Sequence, residues 1–417
     1  MYLAYQVLLL LILIISSPYL LFRALIGGHG LVQRLGYWKF MRDDRKIVWF
    51  HAASMGELKV INSILPALLS TTPNIRVIIS TITKTGRDKA LKLFAPVEVY
   101  YLPLDLFSCV NRVFRKVKPD LLILIETEIW PVLISEAHRQ NTRVAVINGR
   151  ISERSFKFYK IFKSLFTPAL TKIDFVMAQT PVDCERFTAL GIDKEKVADF
   201  GNIKFDQVLD TNSKSPAPEL LSFLNRQNNF VFIAGSIWPK EFTPVVNSVI
   251  AVLNNHPELI AVLAPRHLKN LYKLEETLQM SGLAYCLRSQ LGQAKSDHKV
   301  MILDTMGELS SLYRFADLAF VGGSFVNIGG HDPLEPASAG CAVCFGPNMQ
   351  NSRMFADIIV KDGGAFYLKD ELELTALLRQ YVTNKAEAKA NGRKAYQAVL
   401  TRSGVSRQIA GKLSEFI

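Results

Sequence analysis

Past residue 45 the chain settles into short apolar runs separated by segments with helical spacing. Runs of strand character fall at 46–54, 75–81, 97–105, 120–128, 143–149 and 174–180, then at 230–236, 259–265, 299–305, 318–324 and 341–346. Most are apolar at every position instead of every second one. Parallel strands read this way when helices cover both faces of their sheet. The stretch DTNSKSPAPE at 210–219 interrupts the rhythm with small, polar and proline residues, which is linker chemistry. The pattern predicts two doubly wound, Rossmann-like α/β domains at 23–209 and 230–417, joined by a linker at 210–229. Such domains bind ligands at the carboxyl ends of their strands, so two facing each other would line a cleft with the loops that follow each strand.

The first 22 residues, MYLAYQVLLLLILIISSPYLLF, carry no charged side chain. As a helix they are long enough to cross the ~30 Å hydrocarbon core of a bilayer. No Lys or Arg precedes the run, whereas Arg23, Arg34, Lys39, Arg42, Arg45 and Lys46 follow it. By the positive-inside rule this predicts a single membrane anchor at 1–22, with the remainder on the cytoplasmic side. A basic stretch just past such an anchor would lie against anionic lipid headgroups.

Composition narrows the class. Hydrophobic residues at 49% and charged residues at 21% suit a globular protein, and 417 residues exceed what one core usually serves. Lys+Arg 49 against Asp+Glu 37 leaves +12, a balance suited to polyanionic company such as nucleic acid, anionic lipid or a phosphorylated substrate. The basic charge is not interleaved with aromatics as on a nucleic-acid platform, so nucleic acid is set aside. The five cysteines are too scattered for a disulfide framework. Cys341 and Cys344, inside the apolar run CAVCFG, read as buried strand thiols.

The tetrapeptide MGEL occurs at 55–58 and again at 306–309. About one such coincidence is expected in a chain of this length, so it marks no repeat. Each copy nevertheless follows a strand. Glu57 ends HAASMGE, ahead of Leu58, Ile61, Leu65 and Leu68 at helical spacing, with Pro66 expected to bend or shorten that helix. Near a helix N-terminus this glutamate either complements the dipole or, partly buried, serves as a general base. ETEIWP at 126–131 sets Glu126 and Glu128 at the end of a very apolar strand, where a carboxylate is costly without a partner or a task. Lys204 in GNIKFD is either a solvated charge or a group that neutralises a phosphate or carboxylate.

In the second half, GSIWPKE (235–241), APRH (264–267), VGGSF (321–325) and IGGHDPLEPAS (328–338) follow strands. Glycine turns leading into helix N-termini suit anions, so together they read as a nucleotide-phosphate pocket with Glu335 on the ribose. No GxxxxGK[ST], D-x-D, H-E-x-x-H or G-x-S-x-G occurs, and nothing argues for a metal or a cofactor.

In order and approximate spacing, HAASMGE, ETEIWP, NGRIS, GNIKFD, PRH, DTMGEL, VGGSF and GGHDPLEPA resemble the motifs of the 3-deoxy-D-manno-octulosonic acid (Kdo) transferases. The resemblance spans nearly the whole chain. It implies a GT-B glycosyltransferase with its acceptor site in the N-terminal domain and its CMP-Kdo site in the C-terminal one. It implies attachment to the inner membrane of a Gram-negative cell and transfer of Kdo to a lipid A precursor, lipid IVA. It implies a proton acceptor at Glu57 and transition-state stabilisers at Glu128 and Lys204. CMP contacts would fall on Pro265, Arg266, Met306, Gly307, Glu308, Asp332, Pro333, Leu334 and Glu335. Three features depart from the family pattern: Asp332 where asparagine is commoner, Leu303 where glycine is common, and the form of the GSIWPKE turn. Three other readings share features: a GT-B enzyme using a UDP- or GDP-sugar on a membrane lipid acceptor, a nucleotide-sugar epimerase, and a non-catalytic anchored nucleotide-sugar-binding protein.

Overall fold

The computed structural model describes residues 5–7, 9–15, 30–210, 217–224, 229–293 and 298–417. The chain divides into two units, Met1–Asp206 with Gly404–Ile417, and Gln207–Ser403.

The first unit is built on β1 (Lys46–His51), β2 (Ile75–Thr81), β3 (Glu98–Tyr101), β4 (Leu121–Ile125), β5 (Arg143–Gly149), β6 (Phe175–Ala178) and β7 (Val197–Asp199). They form one parallel sheet in the order β3-β2-β1-β4-β5-β6-β7. The chain winds outward from β1 to β3, then returns to lay β4 against the other side of β1, with Val48 opposite Leu121. The point between β1 and β4 is where the winding reverses, and ligand sites in such sheets form there. Successive side chains point to opposite faces. Ile47 and Trp49 pack with Phe114 and Val132, while Val48 and Phe50 pack with Leu58 and Ile61. Both faces are covered, which is why the strand is apolar at every position.

The second unit repeats the plan with β8 (Phe230–Ile237), β9 (Leu259–Pro265), β10 (Tyr285–Leu287), β11 (Val300–Ile302), β12 (Leu318–Val321), β13 (Ala342–Phe345) and β14 (Ala365–Tyr367). This sheet is parallel too, ordered β10-β11-β9-β8-β12-β13-β14, so its winding reverses between β8 and β12. Phe230 and Phe232 enter one core layer, Val231 and Ile233 the other.

Several expectations change. The sequence reading runs the second domain to residue 417, but the helix Val405–Ser414 lays Val405, Ile409 and Leu413 into the core layer that holds Leu58 and Ile61. Asp206 fixes this return by accepting the Gly404 and Ser406 amides, each at 2.6 Å. Within the stretch read as a linker, Pro218–Leu224 is a helix that buries Leu220 and Leu224, and residues 211–216 and 225–228 lie outside the described residues. Helix Met55–Thr71 continues through Pro66, whose side is exposed, so the missing amide bond falls on solvent. All five cysteines are free, with Cys341 and Cys344 buried.

The membrane anchor at 1–22 is corrected. No helix among the described residues is long and apolar enough to cross a membrane, so a location at the inner membrane through one spanning anchor does not stand. Residues 5–7 and 9–15 are helical, and the remainder of 1–22 lies outside the described residues. Polar contacts tie the start of this helix to the first unit. The Tyr5 hydroxyl donates to Asp105 Oδ2 at 3.0 Å, and the Gln6 side-chain amide donates to the Asp105 carbonyl at 3.1 Å and accepts from the Phe107 amide at 2.9 Å. Of the basic residues that follow, Arg34 donates to the Ile82 carbonyl, Arg45 pairs with Asp43 at 2.6 Å and Lys46 with Asp120 at 3.2 Å.

Asp105 is the hub of that tie. Its buried carboxylate also accepts the Val132 and Leu133 amides at 3.1 and 2.8 Å, capping helix Pro131–Arg139 from outside its own chain segment. Burial pushes its pKa up to about 6 against the pull of these donors. Asp105→Ala is expected to cost about 2 kcal/mol in chemical denaturation, the scale for losing a helix cap and leaving buried donors unmet. Tyr5→Phe is expected to speed proteolytic loss of the N-terminal segment while leaving the melting temperature unchanged.

Candidate active site

In the first unit the sequence-predicted residues collect at the carboxyl edge of the sheet. Glu57 follows β1, Glu126 and Glu128 follow β4, and Lys204 follows β7. Ser54 caps helix Met55–Thr71 by accepting the Glu57 amide at 3.3 Å. In return the Ser54 hydroxyl donates to Glu57 Oε1 and the Ala53 amide to Oε2, both at 2.7 Å. This is the reciprocal geometry of a capping box, shifted by one residue. The dipole reading of Glu57 is thus realised locally, yet the same carboxyl is chemically unusual. It is buried, no ion pair reaches it among the described residues, and its pKa rises to about 7. Burial is the main cause, with the Glu128 and Glu126 charges adding to it and the two hydrogen bonds opposing it.

Glu128 goes the other way. Burial alone would raise it, but His51 and the Trp130 indole outweigh that and hold it below the usual carboxylate range. Trp130 Nε1 donates to Oε2 at 2.8 Å, and His51 Nε2 lies 3.4 Å from the same oxygen. Glu126 is raised chiefly by burial, with the Glu128 charge adding and Arg150 opposing. Its backbone sits in the left-handed region at φ 58°, a conformation non-glycine residues adopt at a cost of order 1–3 kcal/mol.

Lys204 opens helix Lys204–Asp210. Its amide donates to Asn202 Oδ1 at 3.0 Å, Asn202 donates to Gln179 Oε1 at 2.7 Å, and Gln179 donates to the Asn148 carbonyl at 3.0 Å. Three amide side chains from the ends of β5, β6 and β7 therefore fix the turn that carries the lysine. No motif in the sequence singled out Gln179.

In the second unit the glycine turns are used differently from the expectation. Glu241 is completely buried, and its carboxylate accepts the amides of Trp238 (2.9 Å), Gly323 (2.7 Å), Ser324 (3.0 Å) and Phe325 (2.9 Å). The VGGSF amides that read as a phosphate cradle are already engaged by this internal anion. Glu241 ties the end of β8 to the end of β12 across the reversal point. The signal was present in GSIWPKE, as a glutamate three residues beyond the helix-opening Trp238.

The remaining predicted groups surround that tie. Pro265 ends β9 and is buried, and Arg266 after it is exposed. Arg266 and His267 add to burial in pushing His331 down to about 4, with Asp332 opposing. Trp238 Nε1 donates to His331 Nε2 at 3.0 Å, and the Trp238 ring meets His267 edge-on at 5.1 Å. These contacts bring Trp238, Arg266, His267, His331 and Asp332 together. Asp332 Oδ1 accepts the Leu334 amide at 3.1 Å, Pro333 and Leu334 are buried, and Glu335 lies in the first turn of helix Leu334–Ser338. Met306 is 78% exposed and Gly307 takes φ 86°. The second MGEL copy differs from the first: Glu308 pairs with Arg288 at 2.8 Å and accepts from the Thr305 hydroxyl.

Two parallel α/β units, the first bearing a pair of carboxyls with opposed acidity at its reversal point, are the frame of a two-domain nucleotide-binding type of fold. The fold is shared with the UDP-GlcNAc 2-epimerase from Neisseria meningitidis solved bound to UDP-GlcNAc, at a TM-score of 0.60 and 13% identity over 89% of this chain and 100% of that one. The family model described as 3-deoxy-D-manno-octulosonic-acid transferase (kdotransferase) matches residues 29–207. A 3-deoxy-D-manno-octulosonic acid transferase of Chlamydophila psittaci is 31% identical over 371 residues, 86% of this chain and 84% of that protein. A bifunctional glycosyltransferase/methyltransferase of Fusobacterium nucleatum is 38% identical over 313 residues, 74% of this chain, which spans only 48% of that protein's length. The chain belongs to the Kdo transferase family and is a glycosyltransferase, as its motifs led one to expect.

Glu241→Gln replaces an acceptor of four amides with a group that must turn donors toward some of them. It is expected to lower stability by about 3–5 kcal/mol in denaturant titration, as for a buried ionic network that loses its charge.

Proposed function

We propose that the chain transfers Kdo from CMP-Kdo to a sugar hydroxyl of a lipid A precursor, lipid IVA, with inversion at the anomeric carbon. The observation that carries this reading is the contrast between two neighbouring carboxyls, Glu57 raised to about 7 and Glu128 held low. Environments that push paired groups apart assign a base and a fixed charge. Glu57 takes the proton of the attacking hydroxyl, a contribution worth roughly 10²–10⁴ in rate. Glu128 stays ionised and faces the positive charge that grows on the sugar as its bond to CMP breaks. Lys204, on its amide-braced turn, offsets charge on the phosphate or the sugar carboxylate.

The donor belongs to the second unit. Arg266 would meet the phosphate, Glu335 the ribose, and the exposed Met306-Gly307-Glu308 turn the nucleotide, with Gly307 open enough around its Cα for close approach. Pro265, Pro333 and Leu334, being buried, would act through their backbone, and Asp332 by holding the Leu334 amide. The net +12 suits two anionic substrates.

Incubation with CMP-Kdo and tetraacylated lipid A precursor, followed by mass spectrometry, is expected to show the acceptor heavier by whole Kdo units; an unchanged acceptor sinks the reading. CMP is expected to inhibit and UDP not, which separates this donor from a UDP-sugar. Since the base must be unprotonated, kcat/KM should rise with pH through about 7. Glu57→Gln should lower kcat at least about 100-fold with folding preserved and that pH step abolished.

A further inference from the structure

His51 closes β1 and is completely buried, and the reaction proposed above makes no use of it. It stands opposite Ser80 in the β1–β2 register, two residues along from Trp49 and so on the same face of the sheet. An indole N–H can only donate, and Trp49 Nε1 donates to Ser80 Oγ at 2.8 Å. The Ser80 hydroxyl then has its own proton to place, and His51 Nδ1 lies 3.0 Å from that oxygen, in position to accept it. The Ser80 carbonyl, which accepts the Ala52 amide at 3.0 Å, is 3.2 Å from Nδ1 and would be the partner of the opposite tautomer. With Nδ1 accepting, the neutral ring carries its proton on Nε2. Nε2 is buried without a normal hydrogen bond and points its 3.4 Å contact at Glu128 Oε2. That same oxygen takes the Trp130 indole at 2.8 Å, while Oε1 takes no hydrogen bond among the described residues.

We propose that Trp49 and Ser80 fix the tautomer of His51, so that His51 and Trp130 together grip Oε2 of Glu128 and leave Oε1 for the substrate. His51 is thus a positioning residue for Glu128, and its donor chain is read backward from an indole that has no other way to bond. The proposal rests on Glu128 being a site residue. The charged groups around the pair are Glu57, Glu126 and Arg150, with the Tyr159 hydroxyl beside Glu128.

The test has two arms on the full chain. Nitrogen NMR of histidine-labelled protein, without substrate, reads the tautomer directly, with the His51 signals assigned by their loss in His51→Gln. The expected result is a protonated Nε2 and an unprotonated Nδ1, and a scrambled or reversed pattern in Ser80→Ala. A proton on Nδ1 in the wild type overturns the proposal. The second arm compares His51→Gln, whose amide nitrogen can occupy the Nε2 position, with His51→Asn, which is too short to reach Glu128. His51→Asn is expected to lower kcat about tenfold or more, the scale for losing a group that orients a site residue, with KM nearly unchanged. His51→Gln should recover most of that loss. Equal activity of the two variants, both folded by melting temperature, overturns the positioning role. Because the tautomer is read without turnover, an absence of Kdo transfer strikes the proposed function and leaves the donor chain standing.

Discussion

Parallel pairing gives a sheet one end at which every strand finishes, and that constraint organises the first unit. Residues far apart in the chain, from Glu57 after β1 to Lys204 after β7, become neighbours of one edge because no strand runs the other way. The edge is crowded, and the backbone shows it. Glu126 and Asn148 both take positive φ where β4 and β5 end or bulge, as Ser236 does at the end of β8 in the second unit. Asn148 is the mildest case, since asparagine tolerates this region and its side chain accepts the Ile203 amide at 3.3 Å. Strain at strand ends that carry charge is consistent with loops shaped by what they hold.

Three glutamates show how burial and donors compete over the state of an acid, burial prevailing at Glu57 and Glu241 and the donors at Glu128. Glu57 and Glu128 share one edge, yet Glu57 has two short bonds from its own turn and two negative neighbours, whereas Glu128 is met by His51 and an indole. Glu241 is deeper than either and is surrounded by four amides, a shell that only an anion satisfies. The first is raised toward neutral pH and the second is held low. The third joins two strand ends and has no lone pair to spare.

Much of this was legible in the sequence because burial on both faces forces unbroken apolar runs. The eleven runs read as strands correspond to β1–β6, β8, β9 and β11–β13 of the two sheets. β7, β10 and β14 went unread: each has three residues and lies at a sheet edge, too short to build a run. The placement of Glu57, Glu128 and Lys204 at the carboxyl edge was legible because charge soon after an apolar run is conspicuous. His51 and Ser80 could not, since a polar residue inside a strand gains meaning only from its partner across the register. The N-terminal run misled for a related reason: hydropathy counts apolar length and is blind to the bonds of Tyr5 and Gln6 to Asp105 and Phe107.

The return of residues 404–417 to the first unit makes the second an insertion within it. Chains emerge from the ribosome in order, and domains tend to fold as they appear. Here the early unit must wait: the layer containing Leu58 and Ile61 lacks Val405, Ile409 and Leu413 until the chain has been made through the whole of the second unit. During synthesis the later-encoded unit is therefore the first that can finish, and the half carrying Glu57 is sealed only afterward.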